Sequence, residues 1–264
     1  MLSVRDRAIS IIELLAHQPE GMAMSEVAEQ LGIPRTATHR LLHDLKDMGY
    51  VRQEREGGRF ALTTKMVSLA LGYLSASGVT DIAQPLLDRL AAATGELVRL
   101  AVVDGDDLVW VAKAQGARSG LRYDPDAGMT VYLPATANGL AWLACLGEER
   151  VLQLIARQGL QPQRTLGPTA PTTLSQVLER VEQTRRQGYG LVMEAYEQGT
   201  CAVAAAILRP RTGEPVGTVS IAGPSVRLTE ARLRELAPLV QACARELGVA
   251  SVGSPIFAGA RAGG

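Results

Sequence analysis

Residues Ile33-Pro34-Arg35-Thr36-Ala37-Thr38-His39-Arg40-Leu41-Leu42-His43-Asp44-Leu45 decide the fold of the N-terminal part of the chain. Ala37, Leu41, Leu42 and Leu45 recur at the spacing of one helical face, and Pro34 suits a first turn, where its missing N–H goes unused. That inward stripe leaves Arg35, Thr36, Thr38, His39 and Arg40 for the other faces, and no acid stands between Ile33 and His43. Short hydroxyls and arginines are the side chains that reach base edges and phosphates in a major groove.

Upstream, Val4, Ala8, Ile11, Ile12 and Leu15 form the stripe of an amphipathic helix over residues 4–17, with Ser3 as its N-cap. His17-Gln18-Pro19-Glu20-Gly21 breaks it, and Ser25 is placed to cap a second helix that Gly32 ends. Downstream, Met48-Gly49-Tyr50 closes the third helix; residues 50–53 and 59–62 read as strands joined by Glu54-Arg55-Glu56-Gly57-Gly58. Three helices followed by a hairpin predict a winged helix-turn-helix whose wing offers Arg52, Arg55 and Arg59 to the DNA backbone. The candidate DNA-binding residues are Ser25, Arg35, Thr36, Thr38, His39, Arg40, Arg52, Arg55 and Arg59.

Composition limits the alternatives. At roughly 150 residues per domain, 264 residues make about two domains. The 27 Lys and Arg balance the 27 Asp and Glu, so no overall charge pulls the protein onto nucleic acid or an anionic membrane, and any such contact needs a local patch. Only 4% of residues are aromatic, too few for a single-strand stacking platform. Cys145, Cys201 and Cys243 form no CxxC and read as reduced, packed thiols. With no charged-then-apolar leader and no long apolar run, the expectation is a cytoplasmic protein without a membrane partner.

Beyond the hairpin, Met66, Leu69, Ala70, Tyr73 and Leu74 mark a linker helix over residues 64–77. A helix begins at Asp81; strands follow at 96–103 and 108–113, helices at 135–146, 148–156 and 174–187, strands at 190–193, 202–208 and 215–221, and a last helix at 229–247. This is an α+β pattern. The expected domains are a winged helix-turn-helix over 1–63, the linker over 64–80, a sensor-like domain over 81–248 and a mobile Gly- and Ala-rich tail over 249–264.

Several strings together resemble the IclR family of bacterial transcriptional regulators. They are Ser3-Val4-Arg5-Asp6-Arg7-Ala8, the stretch Ile33 through Leu42, Met48-Gly49-Tyr50-Val51, Gly58-Arg59-Phe60-Ala61-Leu62, Leu133-Pro134-Ala135-Thr136-Ala137-Asn138-Gly139, Arg186-Gln187-Gly188-Tyr189-Gly190, Ala222-Gly223-Pro224-Ser225 and Arg227-Leu228-Thr229. The resemblance implies a GAF-like effector-binding domain behind the winged helix, a homodimer or homotetramer, operator DNA as partner and no cofactor. It also implies an effector site lined by Leu121, Val131, Thr136, Ala137, Asn138, Val192, Ala202 and Ser220. The chain departs from the family pattern at Pro134 and Leu140, where His and Lys are usual, at Cys201-Ala202 for Arg-Cys, and at Val192-Met193, where an acid is common. These departures lead us to expect a pocket without a cation. Its effector is then a neutral or singly charged, largely apolar or aromatic metabolite, and the regulated genes a catabolic operon.

Other readings are weaker. His39 and His43 have the i, i+4 spacing of metal ligands but lack a third ligand nearby, so no metal is expected. A thiol hydrolase built on Cys201 lacks a base, because His17, His39 and His43 are the only histidines, and the chain reads as no enzyme. A winged helix used for protein docking leaves the arginines of the third helix unexplained.

Overall fold

The computed structural model describes residues 3–55, 58–78, 82–124, 128–162 and 165–258. It divides into two compact units, Met1–Leu74 and Ser75–Gly264.

The first unit contains α1 (Val4–Ala16), α2 (Met24–Leu31), α3 (Arg35–Asp47), β1 (Val51–Gln53) and β2 (Phe60–Leu62). Ser3 caps α1 in both directions: its hydroxyl accepts from the Asp6 N–H (3.2 Å), and the Asp6 carboxylate accepts from the Ser3 N–H (2.8 Å). Those bonds hold the Asp6 carboxyl below its ordinary pKa. The expected cap of α2 is displaced. Ala23 occupies the cap position, its N–H donating to the Glu26 carboxylate (2.7 Å), and Ser25 lies exposed inside the first turn. Gly32 ends α2 with left-handed backbone, φ 61°.

Ile11, Leu15, Val27, Leu41, Leu42, Leu45, Val51 and Phe60 fuse the three helices to the hairpin, each worth roughly 1.5–3 kcal/mol on burial. Val51 pairs with Leu62 and Gln53 with Phe60. Gly21 has φ 72°, and a Cβ there would stand 2.6 Å from the Phe60 carbonyl; glycine therefore lets Met22 bridge to Phe60. The wing-tip residues Glu56 and Gly57 lie outside the described residues.

Helix α4 (Thr64–Ala76) runs across the boundary between the units. None of its residues is buried, and Val67, Leu69, Leu71 and Tyr73 are each more than half exposed.

The second unit is built on one antiparallel sheet. Its elements are α5 (Gln84–Thr94), β3 (Leu97–Asp104), β4 (Asp107–Gln115), α6 (Ala137–Leu143), α7 (Glu148–Gln158), α8 (Leu174–Gln187), β5 (Gly190–Met193), β6 (Thr200–Leu208), β7 (Pro215–Pro224) and α9 (Glu230–Ala250). The strand order is β4-β3-β7-β6-β5. Helices α5 and α9 pack on each other and on the sheet, while α6 packs on β5, β6, β7 and α8. Trp110, Leu133, Leu140, Trp142, Leu143, Leu154 and Val181 share one core beneath α6 to α8.

The helix expected from 135 breaks into a 3-10 turn, Leu133–Ala135, and then α6. Thr136 causes the break: its hydroxyl accepts from the Gly139 N–H (3.0 Å) and donates to the Tyr132 carbonyl (2.8 Å), capping the new helix. Gly139 is required because a Cβ would meet the Leu133 carbonyl oxygen at 2.3 Å. Asp81, the expected start of α5, lies outside the described residues.

The tail also differs from expectation. Two 3-10 turns, Ser251–Gly253 and Pro255–Ala258, follow α9, and Phe257 is buried. The Arg209 guanidinium donates to the Phe257 carbonyl (2.8 Å), and the Ser254 hydroxyl donates to the Ser77 carbonyl. Two apolar residues, Ile256 and Phe257, suffice to dock the segment despite its Gly and Ala content. Residues 259–264 lie outside the described residues.

Candidate functional site

In the first unit, α3 buries Thr38, Leu41, Leu42 and Leu45 and presents Arg35, Thr36, His39 and Arg40 to solvent. The exposed set falls at offsets zero, one, four and five, a single face of the helix. Thr38 was expected among the outward residues and is a correction. It is fully buried, and its hydroxyl donates to the Pro34 carbonyl (3.2 Å), so it ties the first turn together instead of facing DNA. Arg40 is 74% exposed and stands 4.0 Å from Asp44, the outer limit of an ion pair. The His39 and His43 rings lie 4.3 Å apart. Among the described residues no three metal-ligating side chains come together.

Arg52 and Arg55 are exposed on the wing. Arg59 is exposed but held within the chain: its Nε donates to the Gly21 carbonyl (3.0 Å), and Nη2 lies 3.4 Å from Glu26. These contacts fasten the start of β2 to the segment that leads into α2. Ser25, no longer a cap, is exposed and adds a hydroxyl near the same end of α2.

In the second unit a narrow cavity opens between β3, α6 and the β5–β6 pair. Thr136, Ala137, Asn138, Val192 and Ala202, five of the eight expected residues, line it. Three do not. Leu121 points to solvent, and only its backbone is engaged, its carbonyl accepting from Arg227 (2.8 Å). Val131 is fully buried in the core, where its N–H donates to the Leu108 carbonyl. Ser220 lies outside the lining, buried in β7 opposite Arg99.

The lining also includes Arg99, Tyr123, Tyr196, Thr200, Cys201 and Ala222, none of which the sequence reading placed there. Arg99 overturns the expectation of a pocket without a cation. It is only 5% exposed, its guanidinium carbon sits 3.9 Å from the centre of the Trp110 ring, and burial pulls its pKa below the ordinary value. The available signal was one arginine inside Leu97-Val98-Arg99-Leu100-Ala101, a run apolar on both sides and therefore buried on both faces. Two of the expected polar points are already occupied. Thr136 caps α6, and the Asn138 amide donates to the Thr218 hydroxyl (2.9 Å). The free space is about 20 Å3, room for a single water.

A wider groove of about 210 Å3 lies on the other flank of α6, lined by Leu140, Arg180, Gln183, Leu191 and Arg234. Its arginines are already engaged, Arg180 with the Thr169 carbonyl and Arg234 with Glu230 (2.6 Å). The smaller cavity, with its buried cation, is the chemically distinctive one. Cys201 borders it with a thiol whose pKa is raised by burial.

The sequence profile of the IclR helix-turn-helix domain matches residues 5–55, and that of the bacterial transcriptional regulator IclR C-terminal domain matches residues 71–249. The chain belongs to the IclR family. Its similarity to IclR-family proteins runs nearly end to end: it is 32% identical over 245 residues to the transcriptional repressor IclR of Escherichia coli K12, covering 92% of this chain and 88% of that one. The IclR structure from Thermotoga maritima superposes with a TM-score of 0.72 at 26% identity, over 92% of this chain and 96% of the other. An IclR homologue from Microbacterium hydrocarbonoxydans, solved in complex with 4-hydroxybenzoate, shares the fold with a TM-score of 0.76 at 18% identity, over 96% and 100% of the two chains. IclR-family members are ligand-responsive DNA-binding regulators. That assignment replaces both the thiol-hydrolase and the protein-docking readings. Among the described residues no helix is long and apolar enough to cross a membrane.

Proposed function

We propose that this IclR-family regulator reads double-stranded operator DNA with the exposed face of α3 and controls a catabolic operon in response to a small, largely apolar or aromatic metabolite. The observation that carries the DNA half is the division of α3. Every apolar residue needed for packing is on one side, and Arg35, Thr36, His39 and Arg40 stand together on the other, bound at most loosely within the chain. Arg52 and Arg55 reach phosphates from the wing, and Ser25 contributes a further backbone contact. The regulator works as a homo-oligomer, a dimer or tetramer, in which the exposed apolar residues of α4 are covered. Two reading helices then engage two half-sites, and avidity multiplies the contacts of each.

The effector occupies the cavity between β3, α6 and β5–β6. Val192, Ala137, Ala202 and Ala222 supply apolar walls and Tyr123 and Tyr196 aromatic ones. The 4-hydroxybenzoate bound by the Microbacterium relative supports a ligand of this kind. An aromatic ring needs more than the roughly 20 Å3 of free space, so binding forces the walls apart, and this widening is the change that distinguishes the liganded from the unliganded protein. The test is a gel-shift titration of fragments from the neighbouring promoters at several salt concentrations, with and without aromatic acids. A salt-dependent, sequence-specific complex whose affinity shifts with one of them is expected. Binding that is indifferent to sequence, or to every small molecule tried, refutes the respective half.

A further inference from the structure

Among the described residues the second unit pairs most of the polar side chains that it buries. Glu96 receives Arg227 in two hydrogen bonds (2.8 and 2.9 Å), and Asn138 holds Thr218. Among the described residues four buried side-chain polar atoms lack a hydrogen-bond partner, and three of them converge: Arg99 Nε, Trp110 Nε1 and Ser220 Oγ. The Arg99 guanidinium lies over the Trp110 ring, and Arg99 stands directly opposite Ser220 in the β3–β7 register, so both side chains project from the same face of the sheet.

All three atoms carry a hydrogen to donate, and one belongs to a permanent cation. Tyr123 shares a hydrogen bond with the guanidinium, and the centre of its ring is 5.6 Å away; the Glu197 carboxylate also acts on its charge, more weakly than burial or either tyrosine, and Arg99 Nε has no hydrogen-bond partner. A buried charge so weakly compensated destabilises the fold that holds it, so its presence asks for an anion from outside. Arg99 is also the one Lys, Arg or His in the lining among the described residues, so the cavity matches a single negative charge.

We infer that Arg99 sets the effector specificity of this regulator: its guanidinium, backed by Trp110, pairs with the carboxylate of a singly charged aromatic acid whose ring lies among Tyr123, Val192 and Ala202. The inference rests on the reading of this cavity as the effector site. The carboxylate replaces the Tyr123 phenol on the guanidinium, and the displaced Tyr123 ring packs against the ligand ring. A neutral ligand of the same shape brings no negative charge to the guanidinium, and a dicarboxylate brings a second charge with no partner.

The experiment is calorimetric titration of the full-length protein with benzoate, 4-hydroxybenzoate and phenylacetate, each against its amide, and with phthalate. At least one monocarboxylate should bind about tenfold or more tightly than its amide, and phthalate should be disfavoured. Arg99→Gln should reduce the acid to about the affinity of its amide, and its ligand-free thermal midpoint should not fall below that of the wild type. Arg99→Lys, which keeps the charge and loses the planar fork, should retain part of the preference and decides the matter if the glutamine variant does not fold. Equal binding of acid and amide to the wild type, or a preference that survives Arg99→Gln, overturns the role of Arg99 and leaves the cavity as an effector site. Failure of every acid and amide to bind overturns both.

Discussion

Arginines serve two regions of this molecule under opposite physical conditions. On α3, Arg40 is 74% exposed and Arg35 stands beside it in water, so neither charge costs anything to hold ready. In the cavity of the second unit Arg99 is 5% exposed and rests on an indole. If α3 reads DNA as proposed, its arginines meet a partner whose charge is spread along the duplex, and attraction is long-ranged and weakened by salt. On the proposed reading the buried arginine meets a ligand that has to enter a dry site, where a mismatch in charge is costly. On these readings exposed charge serves encounter and affinity, whereas buried charge serves discrimination.

The largest effect that can break this contrast is on operator binding. Replacing Arg35 and Arg40 together with alanine should weaken operator binding by about 2–6 kcal/mol, taking about 1–3 for each bidentate base contact. Fluorescence anisotropy at fixed salt measures it, and calorimetry should show effector binding intact. An unchanged operator affinity would remove α3 from DNA reading.

A smaller effect separates paired from unpaired buried charge. Arg227→Ala strands the Glu96 carboxylate, which is 7% exposed, and should lower the stability of the second unit by about 1–3 kcal/mol. The figure is below that of a fully buried pair because Arg227 itself is 38% exposed and screened by water. Both tryptophans, Trp110 and Trp142, belong to this unit, so their fluorescence during urea unfolding reports it. Stability equal to the wild type would mean that the pair is ornamental.

Thr36 and Thr38, two residues apart, sharpen the contrast further. Thr36→Ala should change operator affinity by up to about 1 kcal/mol and leave stability alone, whereas Thr38→Val, which removes the bond to Pro34, should cost about 1 kcal/mol of stability and leave sequence preference alone. Thermal unfolding beside a competition binding assay distinguishes them; reversed outcomes would reverse the two faces of α3.

The smallest effect concerns the thiols. Burial raises the Cys243 thiol to about 11 and pushes Cys201 upward, so at pH 8 only about one Cys243 in a thousand is thiolate. Cys145 is also raised by burial but is exposed at the surface, so a maleimide should label it first and the other two only as the protein unfolds. Fast labelling of Cys201 would reopen a reactive role for it.

The winged helix was legible because its signals are local. The stripe of Ile11 and Leu15, the glycine at 32 and the apolar recurrence of Leu41, Leu42 and Leu45 each act within a few residues, and helix or strand formation follows from them. Local signals failed where a neighbour in space competed: Thr38 found a carbonyl four residues back, and Phe257 found a place to bury itself.

The sequence by itself determined the α+β elements, the winged helix, the outward position of Arg35, Thr36, His39 and Arg40, and, through resemblance, most of the α6 and β5–β6 lining of the cavity. Only the tertiary structure decided that Arg99 is inside. Periodicity tells whether alternate side chains share a face but not what covers that face. Arg99 becomes a buried, partly unpartnered cation because β3 is paired on both sides, with β4 bringing Trp110 and β7 bringing Ser220 from more than a hundred residues away. The same pairing excludes the water that would otherwise have solvated its charge.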